Sequence, residues 1–397
     1  MIMIKSMIGP DKIVYLDNNA TTQLDPAVLE EMLPFLTKYY GNPSGGYRFG
    51  VQVREAIELA RERVAGLLGC LPGEVVFTSG GTESDNAALH SALQMDPARQ
   101  HVVTTAVEHS AVRKQCEALA AGGGAATFLG VDEEGQLDLE ELERAIRPET
   151  ALISVMWANN ETGVLFPVEE IAALAQEKRV LFHIDGVQAI GKVPARLADL
   201  SPNFCSVSAH KFHGPKGVGA LYVNRRTSFR ASTFGGGQEE KRRAGTENVA
   251  SIVGFGKAAE LAAAKVEESA LRVRALRDRF EQTLLAEIAD TFVNGGGAPR
   301  LPNTSSLSFA GVESNAALVL FDQQNLCCSA GSACLTGSLQ ASPILRAMGL
   351  SDERLRGTVR FSFGRFNTEA DVERAVEIIP RAIEKIRSLA PREAVAR

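Results

Sequence analysis

The segment SVSAHKFHGPKGVGALYV, residues 206–223, places Lys211 just after a predicted strand and ahead of a loop rich in Gly and Pro. A single lysine in a loop is usually a solvated surface charge. At a strand's carboxyl end, however, a lysine can offer its amine to a ligand, because ligands of open α/β sheets bind there. Lys211 is therefore the first candidate for chemistry.

Two other strand ends carry polar groups. In HIDGVQ, Asp185 ends an apolar strand and Gln188 follows one turn later, although such a carboxylate often only caps the next helix. In TSGGTESDNAA, two glycines precede Thr82, and Asp85 follows three residues on, which resembles a capping box. The N–H groups of this turn suit a phosphate, and a simple capped helix would also explain it.

Together the three strand ends supply what pyridoxal 5′-phosphate requires. This cofactor needs a lysine for a Schiff base, an acid facing the pyridinium nitrogen and donors around its phosphate. Lys211 and Asp185 fit the first two roles, and Gly81–Thr82, Ser208 and His210 fit the third. The chain has no G-x-x-x-x-G-K-[ST] and no strand-linked G-x-G-x-x-G, so an NTPase or a dinucleotide enzyme is not expected.

The elements that must position these residues follow a βαβ pattern, which predicts an α/β fold with a mostly parallel central sheet flanked by helices. Helices are predicted at ESDNAALHSALQ and PVEEIAALAQEK, and a long one from Gly256 to about Asp290. We expect a large cofactor-binding domain at 15–260 and a smaller α+β domain at 1–14 and 261–397. Strands are predicted at 74–79, 101–106, 151–157, 179–185, 203–209 and 219–223.

Composition narrows the classes of function. The 397 residues are 45% hydrophobic and 23% charged, with a formal net charge of −6, which argues against a nucleic-acid or anionic membrane surface. No apolar run approaches the length of a membrane helix and no signal-peptide core forms, so a cytoplasmic protein is expected. The six cysteines show no C-x-x-C spacing, and the adjacent Cys327 and Cys328 suit neither a disulfide nor a metal site, so no metal is expected.

The order of motifs is more specific than any one of them. From YLDNNATT (15–22) to VRFSFGRFNTEAD (359–371), the chain passes GNPS, FTSGGTESDN, EHSAV, NNETGV, HIDGVQ, SAHKFHGPKGVGALYV, GGGQEEKRRAGTEN and SAGSAC. In this it resembles the cysteine desulfurases of class V of the fold-type I pyridoxal-phosphate enzymes. The resemblance is strongest to the group that supplies sulfur for iron–sulfur cluster assembly.

The resemblance implies roles for further residues. His109 would stack on the cofactor ring and relay protons, while Asn160 and Gln188 would contact its phenolic oxygen, Asn160 also facing the substrate. Thr246 would reach the phosphate of the neighbouring subunit, so the active site would be shared across a homodimer. Arg360 would hold the substrate carboxylate, a use that suits the guanidinium fork.

The sulfur chemistry implied by the resemblance falls to Cys334 in CCSAGSACLTGS. L-cysteine would be the substrate, and Lys211 would bind the cofactor and move protons. The Cys334 thiolate would take the sulfur as a persulfide, alanine would leave, and an acceptor protein such as an iron–sulfur scaffold would receive the sulfur. An aminotransferase or selenocysteine lyase on the same fold, or a carrier without its own turnover, remain alternatives.

The chain departs from the family pattern at a few positions. Tyr47 stands where a histidine is common, Gly186 replaces an alanine, and Ala330 interrupts a double serine. Glu240 and Lys241 occupy positions that are often Arg-Gly. These changes leave the chemical groups intact and could alter substrate access or partner choice.

Overall fold

The computed structural model describes Gly9 and the residues 13–330 and 342–389. In chain order its strands and helices are β1 (Val14–Tyr15), α1 (Pro26–Thr37), α2 (Arg48–Leu68), β2 (Val75–Thr78), α3 (Gly81–Met95), β3 (His101–Thr105), α4 (Ser110–Ala121), β4 (Ala125–Leu129), α5 (Leu139–Ala145), β5 (Thr150–Met156), α6 (Val168–Lys178), β6 (Leu181–Asp185), α7 (Leu197–Leu200), β7 (Phe204–Ser208), β8 (Gly219–Val223), α8 (Val249–Glu287), β9 (Thr291–Val293), β10 (Thr304–Phe309), α9 (Ser314–Asp322), β11 (Leu326–Cys327), β12 (Ser329–Ala330), α10 (Pro343–Ala347), α11 (Asp352–Arg356), β13 (Thr358–Ser362) and α12 (Glu369–Leu389).

A seven-stranded sheet with the order β2-β8-β7-β6-β5-β3-β4 forms the centre of the larger core. Strands β7, β6, β5, β3 and β4 are parallel, and β8 is antiparallel to both of its neighbours. Apart from those of β4, their residues are almost entirely buried, as expected of a sheet covered by helices on both faces. The carboxyl ends of β5, β6 and β7 therefore meet at one edge, where ligands of such sheets bind.

A smaller antiparallel sheet with the order β12-β13-β10-β9 supports the second core. Phe280 of α8 packs against Phe361 and Phe363, with ring centroids 5.0 and 5.4 Å away. Val14 and Leu16 also belong to this core, because β1 pairs in parallel with β11. The N-terminal segment is thereby held between the two cores.

Helix α8 connects the two cores. Its first half packs Ile252 and Phe255 into the core of the large sheet, and its second half packs Leu276 and Phe280 into the smaller one. The helix begins seven residues before the predicted start at Gly256 and ends three residues before the predicted end. The division into domains at 15–260 and 261–397 remains a prediction.

The predicted fold class is confirmed, and all six predicted strands are present, each within two residues of its expected ends. One strand of the large sheet, the edge strand β4, was not predicted. Its sequence, AATFL, has one β-branched residue and follows a glycine-rich turn, so local preference does not mark it. Among the described residues, no helix has the length and apolar character needed to cross a membrane.

Candidate active site

A cavity of about 370 Å³ opens at the carboxyl edge of the large sheet. Every residue predicted to bind the cofactor lines it, except Thr246. The lining comprises Ala20, Gly81, Thr82, Asp85, His109, Ser110, Met156, Ala158, Asn160, Asp185, Val187, Gln188, Ser208, His210 and Lys211.

Lys211 enters this cavity from the loop between β7 and β8. It ends a short 3₁₀ turn that begins directly after Ser208, so the strand fixes where the lysine emerges. Its Nζ donates hydrogen bonds to the carbonyl oxygens of Asn19 at 2.7 Å and Ala20 at 2.9 Å. The amine is thus held at a defined point by the segment that follows β1.

Asp185, His109 and Asp85 meet at the base of the cavity, with their nitrogen or carboxylate atoms within 4.8 Å of one another. Burial raises the pKa of Asp185, while His109, the N–H of Val187 and Lys211 oppose that rise. The pKa of Asp85 is raised more strongly, by burial and by the charge of Asp185. A cation in front of Asp185 would favour its ionised form, which is what a pyridinium nitrogen would provide.

The histidine at this site has a fixed orientation. His109 caps the N-terminus of α4, and its Nδ1 accepts a hydrogen bond from the N–H of Ala111 at 3.2 Å. In the neutral ring the proton is therefore on Nε2. This arrangement suits a ring that faces a flat ligand and exchanges protons on one side.

The N-terminus of α3 borders the same cavity, but the predicted capping box is wrong. The helix begins at Gly81 with Gly80 as its N-cap, so Thr82 lies inside the first turn. The carboxylate of Glu83 instead accepts the N–H of Ser79 at 2.7 Å. The side chain of Thr82 is thereby left at the cavity wall, where the helix dipole favours an anion.

Among the described residues, two buried polar atoms along the cavity have no hydrogen-bond partner: Oδ1 of Asn160, and Oδ1 of Asp85, which lies 3.6 Å from Nε2 of His183. Buried polar groups are nearly always paired, so such atoms mark a place for a polar ligand. The cavity therefore combines the amine of Lys211, the carboxyl groups of Asp85 and Asp185 at its floor, and a helix N-terminus. These groups fit pyridoxal 5′-phosphate. His210 contributes a neutral ring, because burial and then Lys211 lower its pKa to about 4.

Arg360 lies on β13, at the edge of the smaller core, and is 3% exposed. Its Nη2 donates to Asp17 at 2.7 Å and its Nη1 to the carbonyl oxygen of Asn160 at 2.9 Å. Within the described part of the chain, its buried Nε has no hydrogen-bond partner. The guanidinium is therefore fixed beside Asn160, with its Nε–H among the donors that a carboxylate could use.

Two predicted residues lie elsewhere. Thr246 is exposed and lines a separate cavity with Ser79 and Arg243. Cys334 lies outside the described residues. Neither is brought to Lys211 by the described part of one chain.

The structure adds site residues that the sequence did not reveal. Asn19 accepts hydrogen bonds from Lys211 and Gln188 at its carbonyl oxygen, and from Lys192 at its side chain. Lys192 also donates to Oε1 of Gln188 at 2.7 Å, so the amide nitrogen of Gln188 points to Asn19. The motif YLDNNATT contained the signal for Asn19, but nothing local to Lys192 pointed to the site.

Two departures from the family pattern have structural consequences. A Cβ atom on Gly186 would lie 2.8 Å from Sγ of Cys205, so this cysteine fills the space of the usual alanine. Glu239, Glu240 and Lys241 adopt φ of 46°, 56° and 66°, a region that glycine tolerates best. Glu239 uses this turn to bind Arg61 at 2.8 Å.

Comparison with known proteins decides the family. The chain matches the aminotransferase class-V family over residues 14–375. The chain belongs to this family. A curated cysteine desulfurase from Nostoc sp. is 50% identical over 379 residues, which are 96% of this chain and 95% of that protein.

Solved structures agree with this assignment. A NifS-like protein is 36% identical with a TM-score of 0.86, and the match covers 95% of this chain and 99% of that chain. The structure of SspA in complex with cysteine is 33% identical with a TM-score of 0.78, covering 89% and 99%. The chain is therefore an enzyme of the pyridoxal-phosphate-dependent cysteine desulfurase type.

Proposed function

We propose that this enzyme removes sulfur from L-cysteine, releases L-alanine and leaves a persulfide on Cys334. The observation that carries the proposal is the cavity that brings Lys211, Asp185 and His109 together beside the N-terminus of α3. A relative of known structure is held in complex with cysteine, which supports the same substrate here. Arg360 lies next to this cavity, where it could bind the carboxylate of an amino acid.

Pyridoxal 5′-phosphate, when bound, would act as an electron sink for the substrate's α-carbon. Lys211 would hold the cofactor through Nζ and, once the substrate amine replaces it, carry the α-proton. Asp185 would keep the ring nitrogen protonated, and His109 would lie against the ring. Gln188 and Asn160 would face its phenolic oxygen.

The phosphate would lie at the N-terminus of α3. Gly81, Thr82, Ser208 and His210 all border the cavity there and can offer N–H or O–H donors. A Cβ on Gly81 would lie 2.6 Å from a methyl group of Val187, so a larger residue would displace the strand-end segment that carries Asp185. The backbone itself therefore shapes this end of the site.

Cys334 would supply the nucleophile. Its thiolate attacks the sulfur of L-cysteine, the Cβ–S bond breaks, and the electron pair stays on Cβ, which takes up a proton. L-cysteine and the enzyme thiol thus become L-alanine and an enzyme persulfide, with no external oxidant. Thiolates attack sulfur far more readily than alcohols do.

The test is Cys334→Ser. The variant should keep cofactor binding and its visible absorbance, while alanine formation falls by orders of magnitude, because a hydroxyl does not take up the sulfur. Lys211→Ala is the matched control and should lose the absorbance of the lysine-linked cofactor. Full alanine production by Cys334→Ser would favour an aminotransferase or selenocysteine lyase instead.

We further propose that two chains form a homodimer in which Thr246 reaches the partner's phosphate site. Thr246 is exposed and is not part of the cavity with Lys211 in its own chain. Leu29, Leu33 and Leu36 form an exposed apolar stripe on α1, with exposures of 43%, 47% and 60%. A stripe of this kind is typical of a surface that another protein covers.

The persulfide needs an acceptor, and we propose a protein such as an iron–sulfur scaffold. We also place the enzyme in the cytoplasm, because the cysteines in the described residues are free thiols, which suits a reducing compartment. Incubation with ³⁵S-labelled cysteine, followed by capture of labelled proteins, tests the acceptor. Label that stays on the enzyme in the presence of a candidate scaffold would exclude that scaffold.

A further inference from the structure

Lys192 lies in the turn that follows β6, at the edge of the candidate site. It is half-buried and borders, with Lys211, a pocket of about 60 Å³ between the two cores. Its Nζ donates to Oε1 of Gln188 at 2.7 Å and to Oδ1 of Asn19 at 3.1 Å. The chemistry proposed above does not use this amine, so its placement needs another reason.

The first of these hydrogen bonds bears on the orientation of the Gln188 amide. An amine that donates N–H must face an acceptor, so the amide atom next to Lys192 is the oxygen. The carbonyl oxygen of Asn19 only accepts, and it receives an N–H from Nε2 of Gln188 at 3.0 Å. Turning the amide over would place donor against donor at one end and acceptor against acceptor at the other. The chain itself therefore selects one orientation of the amide.

This orientation leaves one N–H of Gln188 for a ligand. Nε2 carries two hydrogens, and among the described residues only Asn19 accepts one of them. Gln188 lines the cavity that Lys211 enters, and the proposed function places the phenolic oxygen of the cofactor next to it. An amide oxygen in the same place would repel that oxygen when it is ionised.

Of the two atoms that Lys192 holds, Oε1 of Gln188 depends on it more. In the described part of the chain this oxygen has no other donor, whereas Oδ1 of Asn19 also accepts from Nδ2 of Asn303 at 3.0 Å. Loss of the amine leaves Oε1 of the buried Gln188 without a partner, which favours rearrangement of the amide. None of these bonds involves Lys211, so they are compatible with a cofactor linked to that residue.

These hydrogen bonds do not require Lys192 to be charged. The titratable groups around it are basic: Lys211, His210 and His213 lie on the segment after β7, and Arg360 lies on β13. Burial, and then the charges of Lys211 and Arg360, hold the pKa of Lys192 well below its usual value. A neutral amine still carries two N–H groups, which is enough for both oxygens.

We propose that Lys192 is a positioning residue that acts through Gln188, holding its amide so that an N–H, and not the amide oxygen, meets the phenolic oxygen of the cofactor. The inference rests on the proposed function, since it takes Lys211 as the cofactor lysine. Hydrogen bonds in a chain polarise one another, so the Lys192 amine also makes this N–H a stronger donor.

The expected consequence is a shift in the pH midpoint of the visible absorbance of the holoenzyme. When the nitrogen that links Lys211 to the cofactor loses its proton, the phenolic oxygen keeps a full negative charge, and a donor stabilises that form. Lys192→Met should therefore raise the midpoint by about one pH unit, because a hydrogen bond to a charged group changes an equilibrium about tenfold. Lys192→Ala should give a similar rise and covers the case in which methionine does not fit.

A double-mutant cycle separates this role from a direct effect of the lysine on the cofactor. Gln188→Met removes the amide and should raise the midpoint by itself. In that background, Lys192→Met should add less than about half of the shift that it causes alone, because the donor that it positions is gone. Full addition of the two shifts would overturn the inference, and so would an unchanged midpoint in either single variant.

Lys265→Met is the matched control. Lys265 is exposed on α8 and borders the same pocket as Lys192, but it does not bind Gln188. Its loss should leave the midpoint at the wild-type value, and a shift as large as that of Lys192→Met would mean that any nearby positive charge has this effect. Failure of the proposed function looks different: the wild type itself would then show no visible absorbance that Lys211→Ala removes.

Discussion

Arg360 is fixed before any substrate arrives. Its hydrogen bonds to Asp17 and Asn160 hold the guanidinium in one plane, so little side-chain entropy is lost when a carboxylate binds. Its Nε–H is buried and has no acceptor among the residues that the structure describes, which favours an incoming acceptor.

Replacing this side chain should therefore weaken substrate binding. Arg360→Ala is expected to raise KM for cysteine tenfold or more, since a charge-assisted hydrogen bond is worth about 1.5–3 kcal/mol. Steady-state kinetics on alanine formation measure it. Arg365→Ala, which removes an ion pair to Asp25 in the same motif, should lower stability and leave KM in place. A normal KM with a collapsed kcat in Arg360→Ala would contradict the clamp role.

Glu108 is a second residue whose environment should have a measurable effect, here on the pH dependence of stability. Burial raises its pKa to about 8, although Thr105 and the N–H of Met156 both donate to its Oε1. The folded protein then keeps a proton that the unfolded chain releases above its usual pKa near 4.5. The contribution of Glu108 to the free energy of unfolding therefore falls as the pH rises from about 4.5 to about 8.

Glu108→Gln has no such proton to release, so this fall in the free energy of unfolding should be absent from the variant. The variant is expected to gain stability relative to the wild type as the pH is raised from 5 to 8.5, measured by urea unfolding. Glu117→Gln removes a surface carboxylate on α4 and should follow the wild type. Parallel curves for Glu108→Gln and the wild type would mean that Glu108 is ionised in the fold.

Several site residues could be predicted from sequence because each stands at the end of a strand or in a motif. Lys211, Asp185 and Gln188 are of this kind. The motif YLDNNATT contains Asn19, but the role of Asn19 could not be predicted, because its partners Gln188 and Lys192 lie 169 and 173 positions away and no local pattern records them. Lys192 lies only four positions from Gln188, yet nothing in the local sequence points to the site. The predicted capping box at Thr82 was wrong because the N-cap of α3 is Gly80, two residues earlier, with φ of 153°.

At the scale of elements, strands were predictable where both faces are buried, since a continuous β-branched run marks them. Strand β4 escaped because its residues are half-exposed at the sheet edge. The early start of α8 was not visible either. Its first eight residues include two glycines, Gly254 and Gly256, which lower helix preference but let α8 approach its neighbours closely.

That close approach makes a prediction about α8. A Cβ on Gly256 would lie 2.5 Å from Cα of Ala60 in α2, where backbone must move. Gly256→Ala should therefore destabilise the fold by about 1–3 kcal/mol, despite the better helix preference of alanine. Thermal and urea unfolding measure the loss.

Gly66 is the matched control, because it lies in α2, is exposed and has no atom within 4 Å of an added Cβ. Gly66→Ala should stabilise the protein by about 0.5–1 kcal/mol. If the two substitutions change stability in the same direction, packing between α2 and α8 is not what requires glycine at residue 256.

At the scale of the whole molecule, the exposed stripe on α1 bears on assembly. If it lies in the proposed dimer interface, Leu33→Asp should split the dimer and lower cofactor occupancy, because Thr246 would no longer reach the partner's site. Light scattering and the absorbance of bound cofactor measure both effects. Leu271→Asp changes a still more exposed leucine, on α8, and should leave the dimer intact. A monomeric wild type with full cofactor occupancy would refute the shared site.

The contacts of the N-terminal segment with the smaller core also have a consequence for protein synthesis. Asp17 and Arg360, which form one ion pair at the proposed substrate clamp, lie 343 positions apart. Translation proceeds at about 5–20 residues per second, so a nascent chain holds Asp17 without its arginine for roughly 20–70 s. Ribosome-bound chains can thus complete the large sheet and expose Lys211, the proposed cofactor lysine, while they still lack Arg360, the proposed means of retaining an amino acid.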